Sequence, residues 1–303
     1  MAQTPASLLL NLASGRFSRL DGLDEFKNRF KLVFRSVLTL SASLRWLETF
    51  TRDPVLLEFL RRNPRLACKL HRPYLYKKLN TTGKLAILQA HYQLEPARFP
   101  EKTLAALLDG QHLLLAAIQG KDESRYQFTL THQHAFDKEG ELSFQMRNQE
   151  NIALVTLTFS LCNSPQGRTL LIGGIQGPNL NDDGSNPIKV ATKACHGLFP
   201  KRVAMEALTV LARMLGMQSV QAVGKQQHIY NSWRYRRRFE ADYDSFWQTL
   251  EAHLNPQGFF EVPLQLPRKT MEEIASKKRA EYQRRYNLMD ELNAQIASSL
   301  LST

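Results

Sequence analysis

Apolar residues recur at helical spacing through the first third of the chain. Phe26, Phe30, Val33, Phe34 and Val37, preceded by Leu20, follow the rhythm of one helical face. Asp53-Pro54 sets a capping side chain before a proline at the first helical position. Leu56, Leu57, Phe59 and Leu60 then supply an apolar side. Asn63-Pro64 opens the next segment in the same way. Thr81-Thr82-Gly83 precedes a helix over 84–94, and Pro96 and Pro100 mark a loop before a helix at 101–118. Residues 1–119 therefore read as a helical N-terminal region.

From residue 124 the period changes to two. Tyr126, Phe128 and Leu130 alternate with polar residues, a turn falls at 137–140, and Leu142, Phe144 and Met146 alternate again. Residues 152–161 and 169–175 continue as β-rich runs separated by a turn at 165–167. Four strands in antiparallel meander order are expected. A helix over 201–215 lies between Pro200 and Gly216, with a short strand at 220–223 after it. Helices at 226–237 and 243–253, a strand at 259–264 and one long charged helix at 271–298 complete the reading. The expected class is α+β. A core over 120–268, with a mixed, mainly antiparallel sheet and flanking helices, follows the helical region, and a basic helix over 269–303 closes the chain.

Composition adds charge and compartment. The 303 residues are 43% apolar, enough for a large core, and carry a net charge of +12. Such a balance suits nucleic acid, anionic lipid or phosphorylated ligands, although scattered surface charge explains it as well. Cys68, Cys162 and Cys195 are odd in number and lack CxxC spacing, which argues against a disulfide framework or a zinc site. The apolar run near Leu8 is short and lacks a basic flank, so no signal peptide is expected. No apolar stretch is long enough to span a bilayer. The chain reads as cytoplasmic, with peripheral contact at the inner membrane left open.

Several blocks carry a family likeness. Gly173–Gly177 (GGIQG), Lys189–Arg202 (KVATKACHGLFPKR), Ala222–Tyr230 (AVGKQQHIY) and Ser276–Tyr286 (SKKRAEYQRRY) resemble the VirK/YbjX family of proteobacterial proteins. The resemblance implies a role in virulence and in surviving antimicrobial peptides through the cell envelope. It brings no catalytic residues with it. The order of strands, loop, helix, strand, helix and strand is also similar to the GNAT acyltransferase fold. In that fold a loop before a helix N-terminus holds the pyrophosphate of acyl-CoA on free backbone N–H groups. This chain lacks the Q/R-x-x-G-x-G/A loop of those enzymes, so the likeness is one of topology.

The candidate chemistry gathers around the same stretch. Gly177, Lys189, Lys193, Gly197, Lys201 and Arg202 read as an anion cradle for a phosphorylated cofactor such as acyl-CoA, or as a solvated basic loop. Lys201 and Arg202 occupy a helix's first turn, where the macrodipole disfavours cations. His196 is a candidate base, with Cys195 beside it too close in sequence to face it. His228 and Tyr230 are further catalytic candidates. Tyr230 stands where a GNAT-like unit protonates a leaving thiolate, and packing is the alternative for Trp233. His132 and His134 form an HxH pair that Asp137 or Glu141 could complete as a metal site, but no third ligand is identified and none is expected. Gly173-Gly174 fits a phosphate loop or close backbone packing. Basic clusters interleaved with aromatics, at 61–78, 234–238 and 277–286, suit RNA or anionic lipid head groups.

Overall fold

The structure is a computed structural model that describes residues 3–17, 26–132, 134–178, 186–231 and 243–301. Helix α1 (Pro5–Ser14) starts on a reciprocal Thr4/Ser7 capping box and ends at Gly15 in the left-handed conformation. Helices α2 (Phe26–Leu38) and α3 (Leu40–Thr51) follow. Asp53 caps α4 (Pro54–Arg62) by accepting from the N–H groups of Val55 and Leu56, and a 3-10 helix (Pro64–His71) continues from it. Asn80 caps α5 (Thr81–Arg98), which leads to α6 (Glu101–Leu108).

The helix expected over 101–118 stops at Leu108. Gly110 takes φ +73°, and residues 113–119 form the first strand instead. Their helical propensity loses to the ladder they make with the next strand and to the long C-terminal helix that packs on them. Strands β1 (Leu113–Gln119), β2 (Arg125–Thr131), β3 (Leu142–Arg147), β4 (Ala153–Ser164) and β5 (Gly167–Gln176) form an antiparallel meander with one strand more than the alternation predicted. After α7 (Pro187–Ala194) and α8 (Pro200–Met214), strand β6 (Ser219–Val223) lies parallel to β5. Then come α9 (Tyr243–Thr249), β7 (His253–Leu254), β8 (Phe259–Val262) and α10 (Ser276–Leu301). The sheet order is β1-β2-β3-β4-β5-β6-β8-β7, mixed and mostly antiparallel.

Two more expectations are corrected. Residues 225–230 are successive turns rather than helix, held by a bridge between Tyr76 and His228; the remaining part, 232–237, lies outside the described residues. The helix from Tyr243 ends at Thr249 because the N–H groups of Leu250 and Ala252 turn back to the Trp247 carbonyl, with Glu251 at φ +59°.

Every residue of β4 from Leu154 to Cys162 is buried, which requires cover on both faces of the sheet; α5 and α8 both pack on this strand. On the α5 side Trp46, Phe50, Phe59 and Tyr92 make one aromatic cluster, and the Trp46 indole N–H donates to the Leu66 carbonyl.

A charged cluster lies among these apolar groups. Lys69 Nζ is 2.7 Å from Glu141 Oε1, and Tyr92 Oη donates to Glu141 Oε2 at 2.8 Å. Glu95 sits 2.7 Å from His132 Nε2 and 3.2 Å from His91 Nε2. Burial opposes charge on His132, but the Glu95 carboxylate outweighs it and raises the imidazole pKa. Burial likewise opposes charge on Glu141, and Lys69 overcomes it. Two buried cations thus balance two buried carboxylates. Lys69→Met would leave Glu141 unpaired and is expected to cost about 3–5 kcal/mol. Urea denaturation checks this, and the double variant Lys69→Met/Glu141→Gln should recover most of the loss.

Candidate functional site

Strands β5 and β6 pair in parallel only through Thr169–Ile172 against Ser219–Ala222. Beyond that point they part. The cause lies at Gly173, where the β4–β5 register shifts. A Cβ at Gly173 would strike the Glu139 carbonyl, and one at Gly174 would strike the Glu139 carboxylate. The glycine pair therefore makes room for Glu139 against β5. Side chains fill the gap: Tyr243 Oη donates to the Ile175 carbonyl at 2.8 Å, and the Trp247 indole donates to the Val223 carbonyl at 3.2 Å.

Glu139 is fully buried there. Gln176 Nε2 donates to its Oε1 at 2.7 Å, and burial still pushes the carboxyl up to about 8. His228 Nδ1 accepts the Tyr230 N–H, which leaves the ring hydrogen on Nε2, 3.6 Å from Glu139 Oε1. Burial lowers the His228 pKa to about 4, so both groups are neutral near pH 6 rather than an ion pair. The His228 ring stacks on Tyr243 with centroids 4.8 Å apart and lies 5.6 Å from the Tyr230 ring.

Outside this group, at Gly177 and the start of α8, a cavity of about 650 Å³ opens. Phe199, Phe246 and Met289 give it apolar walls, and Lys201, Arg202, Arg268, Lys269 and Arg285 ring it. Arg202 already donates to the Pro267 carbonyl, Arg268 pairs with Glu206 and Asp290, and Arg285 donates to the His196 carbonyl. Lys201 and Lys269 have no ion-pair partner among the described residues, and burial lowers the Lys201 pKa. A second cavity of about 770 Å³ shares Ile188 and Phe199 with the first. Lys121, Lys189, Lys193, His196, Lys277 and Arg284 line it.

The candidate residues therefore divide among four places. Gly177, Lys201 and Arg202 reach the first cavity; Lys189, Lys193, His196 and Gly197 reach the second. Lys189 and Lys193 stand on α7, which Asn186 caps, rather than in a loop. Gly197, at φ +83°, donates its N–H to the Thr192 carbonyl and ends that helix. His228 is buried behind β5, and Tyr230 lines a separate hollow of about 400 Å³ with Lys77, Lys78 and Lys138. Cys195 is buried, its thiol pushed up to about 12 by burial, so it does not serve His196. Trp233, Tyr235 and the basic cluster at 234–238 lie outside the described residues.

Among the described residues, the partners proposed for the HxH pair are engaged elsewhere. Asp137 pairs with Arg72 and Glu141 with Lys69, and the side chain of His134 lies outside the described residues. His132 joins His91 and Glu95 instead, with their donor atoms within 4.8 Å of one another. His91 Nδ1, however, accepts the Leu161 N–H at 3.1 Å. Its neutral ring then carries hydrogen on Nε2, facing Glu95, and has no lone pair left for a cation. The donor set fits a hydrogen-bonded ion cluster and does not fit a metal.

Sequence reasoning missed Glu139, Gln176, Tyr243 and Lys269. Glu139 was hidden in what reads as a hairpin turn. Its signal was the glycine pair in an otherwise buried strand, which marks a close approach without naming the partner.

Glu139 also sets a pH dependence. Its pKa is raised above the ordinary value of 4.5, so its contribution is present at low pH and is lost as pH climbs towards about 8. Over that window the unfolded chain releases a proton that the folded carboxyl keeps, at about 1.4 kcal/mol per pH unit. Glu139→Gln is therefore expected to gain stability over the natural protein progressively from pH 5 to 8, and thermal melts across that range check it.

A protein family described as "Protein of unknown function (DUF535)" matches residues 21–298. The chain is 38% identical over 295 residues to the protein named uncharacterized protein YbjX of Escherichia coli K12, covering 96% of this chain and 89% of that protein. An uncharacterized protein of Haemophilus influenzae is 28% identical over 257 residues, or 85% of this chain and 81% of that one. The membrane protein LapB of Mannheimia haemolytica is 27% identical over 194 residues, or 63% of this chain and 80% of its own.

Proposed function

The chain belongs to the VirK/YbjX family, matched as DUF535, and on that premise we propose that it is a GNAT-like acyltransferase using a phosphorylated donor such as acyl-CoA. The observation that carries this reading is the pair of adjoining cavities at the start of α8, one apolar with a cationic rim and one lined by several cations together with Glu281. Their chemistry matches a ligand with an apolar arm and several phosphates. Lys189, Lys193 and Lys201 would take the phosphates, and the acyl end would run towards Gly177, just beyond the end of β5. His228 and Glu139 are buried behind β5 and Tyr230 lines a separate hollow, so His196, which lines the second cavity, is the candidate group for proton transfer.

We place the acceptor at the cell envelope. The relative named a membrane protein, and the virulence and antimicrobial-peptide phenotypes implied by the family likeness, are in keeping with that. The described residues include no helix long and apolar enough to cross a membrane.

A second reading is a non-catalytic accessory protein that binds RNA or anionic lipid. It is favoured by Arg202, Arg268 and Arg285 being engaged within the protein already, and by the Gly197 N–H being spent on closing α7.

Thermal melts with coenzyme A, acetyl-CoA and palmitoyl-CoA separate the two. At a hundredfold excess over Kd, a ligand of the native state stabilises by about 2.7 kcal/mol. A saturable rise that Lys201→Glu/Lys269→Glu abolishes is the expected result. These lysines are preferable to Arg202, whose loss would also free the Pro267 carbonyl. No rise at millimolar ligand would overturn the acyltransferase reading.

A further inference from the structure

The apolar face that the sequence assigns to α2 does not enter the core. Only Leu32 and Ser36 of this helix are buried. Phe26 is 81% exposed, Phe30 60%, Phe34 57%, Val37 62% and Leu38 68%. Positions i, i+4, i+8, i+11 and i+12 share one side of a helix, so these residues form a continuous stripe pointing away from the protein. The Phe30 and Phe34 rings stack along it, with centroids 6.3 Å apart. A stripe of this kind on a water-soluble surface marks a docking face.

The charges on the helix identify what it docks on. Lys27, Arg29, Lys31 and Arg35 are its ionisable residues, and none is acidic. The neighbouring 3-10 helix adds Arg65, and Lys31, Arg35 and Arg72 line one small hollow beside α2. Burial lowers the His71 pKa to about 4, with Arg35 and Lys84 adding to it. A second copy of the chain laid face to face on the stripe would bring Lys27, Lys31 and Arg35 against their own kind, and like charges oppose such pairing. An anionic bilayer satisfies both features. Its acyl layer takes phenylalanine side chains and its head groups take flanking lysines, the arrangement of helices that lie in the interfacial plane.

We propose that α2 is a membrane-docking helix that seats this protein on an anionic phospholipid surface, with Phe26, Phe30 and Phe34 inserted and Lys27 and Lys31 at the head groups. This surface is separate from the two cavities, neither of which α2 lines, so acyl-CoA binding and docking can fail independently.

Co-sedimentation of the whole protein with phosphatidylcholine vesicles carrying about 30% phosphatidylglycerol tests the proposal against vesicles of phosphatidylcholine alone. Binding to the anionic vesicles is expected, at least about tenfold weaker to the neutral ones and for Phe30→Ser/Phe34→Ser. The thermal midpoint of that variant should be unchanged, because both side chains are exposed. Lys27→Glu/Lys31→Glu should weaken binding to a similar degree without touching the rings. Three results would overturn the proposal. The natural protein could fail to bind anionic vesicles, or the phenylalanine variant could bind as tightly as the natural protein. Light scattering could also show a dimer that the phenylalanine variant converts to a monomer, which would assign the stripe to a second copy.

Discussion

The arrangement of this protein depends on a neutral sum of buried charges. Lys69 and His132 stand against Glu141 and Glu95 between the N-terminal helices and the sheet, with Tyr92 and His91 completing the contacts. Buried ions tolerate little freedom, since a displaced partner leaves an uncompensated charge. The cluster draws on the 3-10 helix, α5, the end of β2 and the start of β3. It thereby sets how the helical region lies on the sheet, and the segment after the 3-10 helix follows from that placement. Leu75 donates its N–H to the Lys138 carbonyl, Lys77 donates to the Gln227 carbonyl, and Tyr76 bridges His228. The backbones that carry Glu139 and His228 are thus tied to the same helical region that the ion cluster holds.

The divergence of β5 from β6 follows the same logic of compelled neighbours. Parallel strands normally stay paired because unpaired backbone groups are costly. Here the glycine pair admits Glu139, and tyrosine and tryptophan from α9 take over the carbonyls that the ladder gives up. The result is a strand end with neutral, buried acid and imidazole groups on its inner side and open cavities beyond it. Neutral groups in such a place hold or release a proton at modest cost, whereas the cations around the cavities belong to ligand recognition.

Charge is distributed to match. Part of the excess of positive residues is absorbed internally, as with Lys69, Arg202 and Arg268. Part lines the cavities, and part flanks the phenylalanine stripe of α2. The same net charge therefore serves packing, ligand recognition and surface attachment at different places, a division that composition alone cannot display.

Local signals settled much of the architecture. Asp53-Pro54 and Pro200 mark helix starts through a cap and missing N–H groups, and the alternation at Tyr126–Leu130 and Leu142–Met146 marks strands through side-chain direction. These are interactions among near neighbours, so the chain states them directly. The helix expected over 84–94 runs longer, from Thr81 through Pro96 to Arg98. The site was partly legible: Gly177, Lys201 and Arg202 do meet at one cavity, while His228 and Tyr230 lie elsewhere, because the divergence of two strands separates them. Tertiary structure decided the rest. Residues 113–119 became a strand only because β2 and α10 were there to receive them. The apolar spacing of α2 announced a helix but not the direction of its face, since Leu32 and Ser36 won the contact with the protein. Glu139 found its place opposite Gly173 and Gly174 across a turn and two strands. Periodicity records which side chains share a face; only packing against distant segments decides which face is covered and which groups meet.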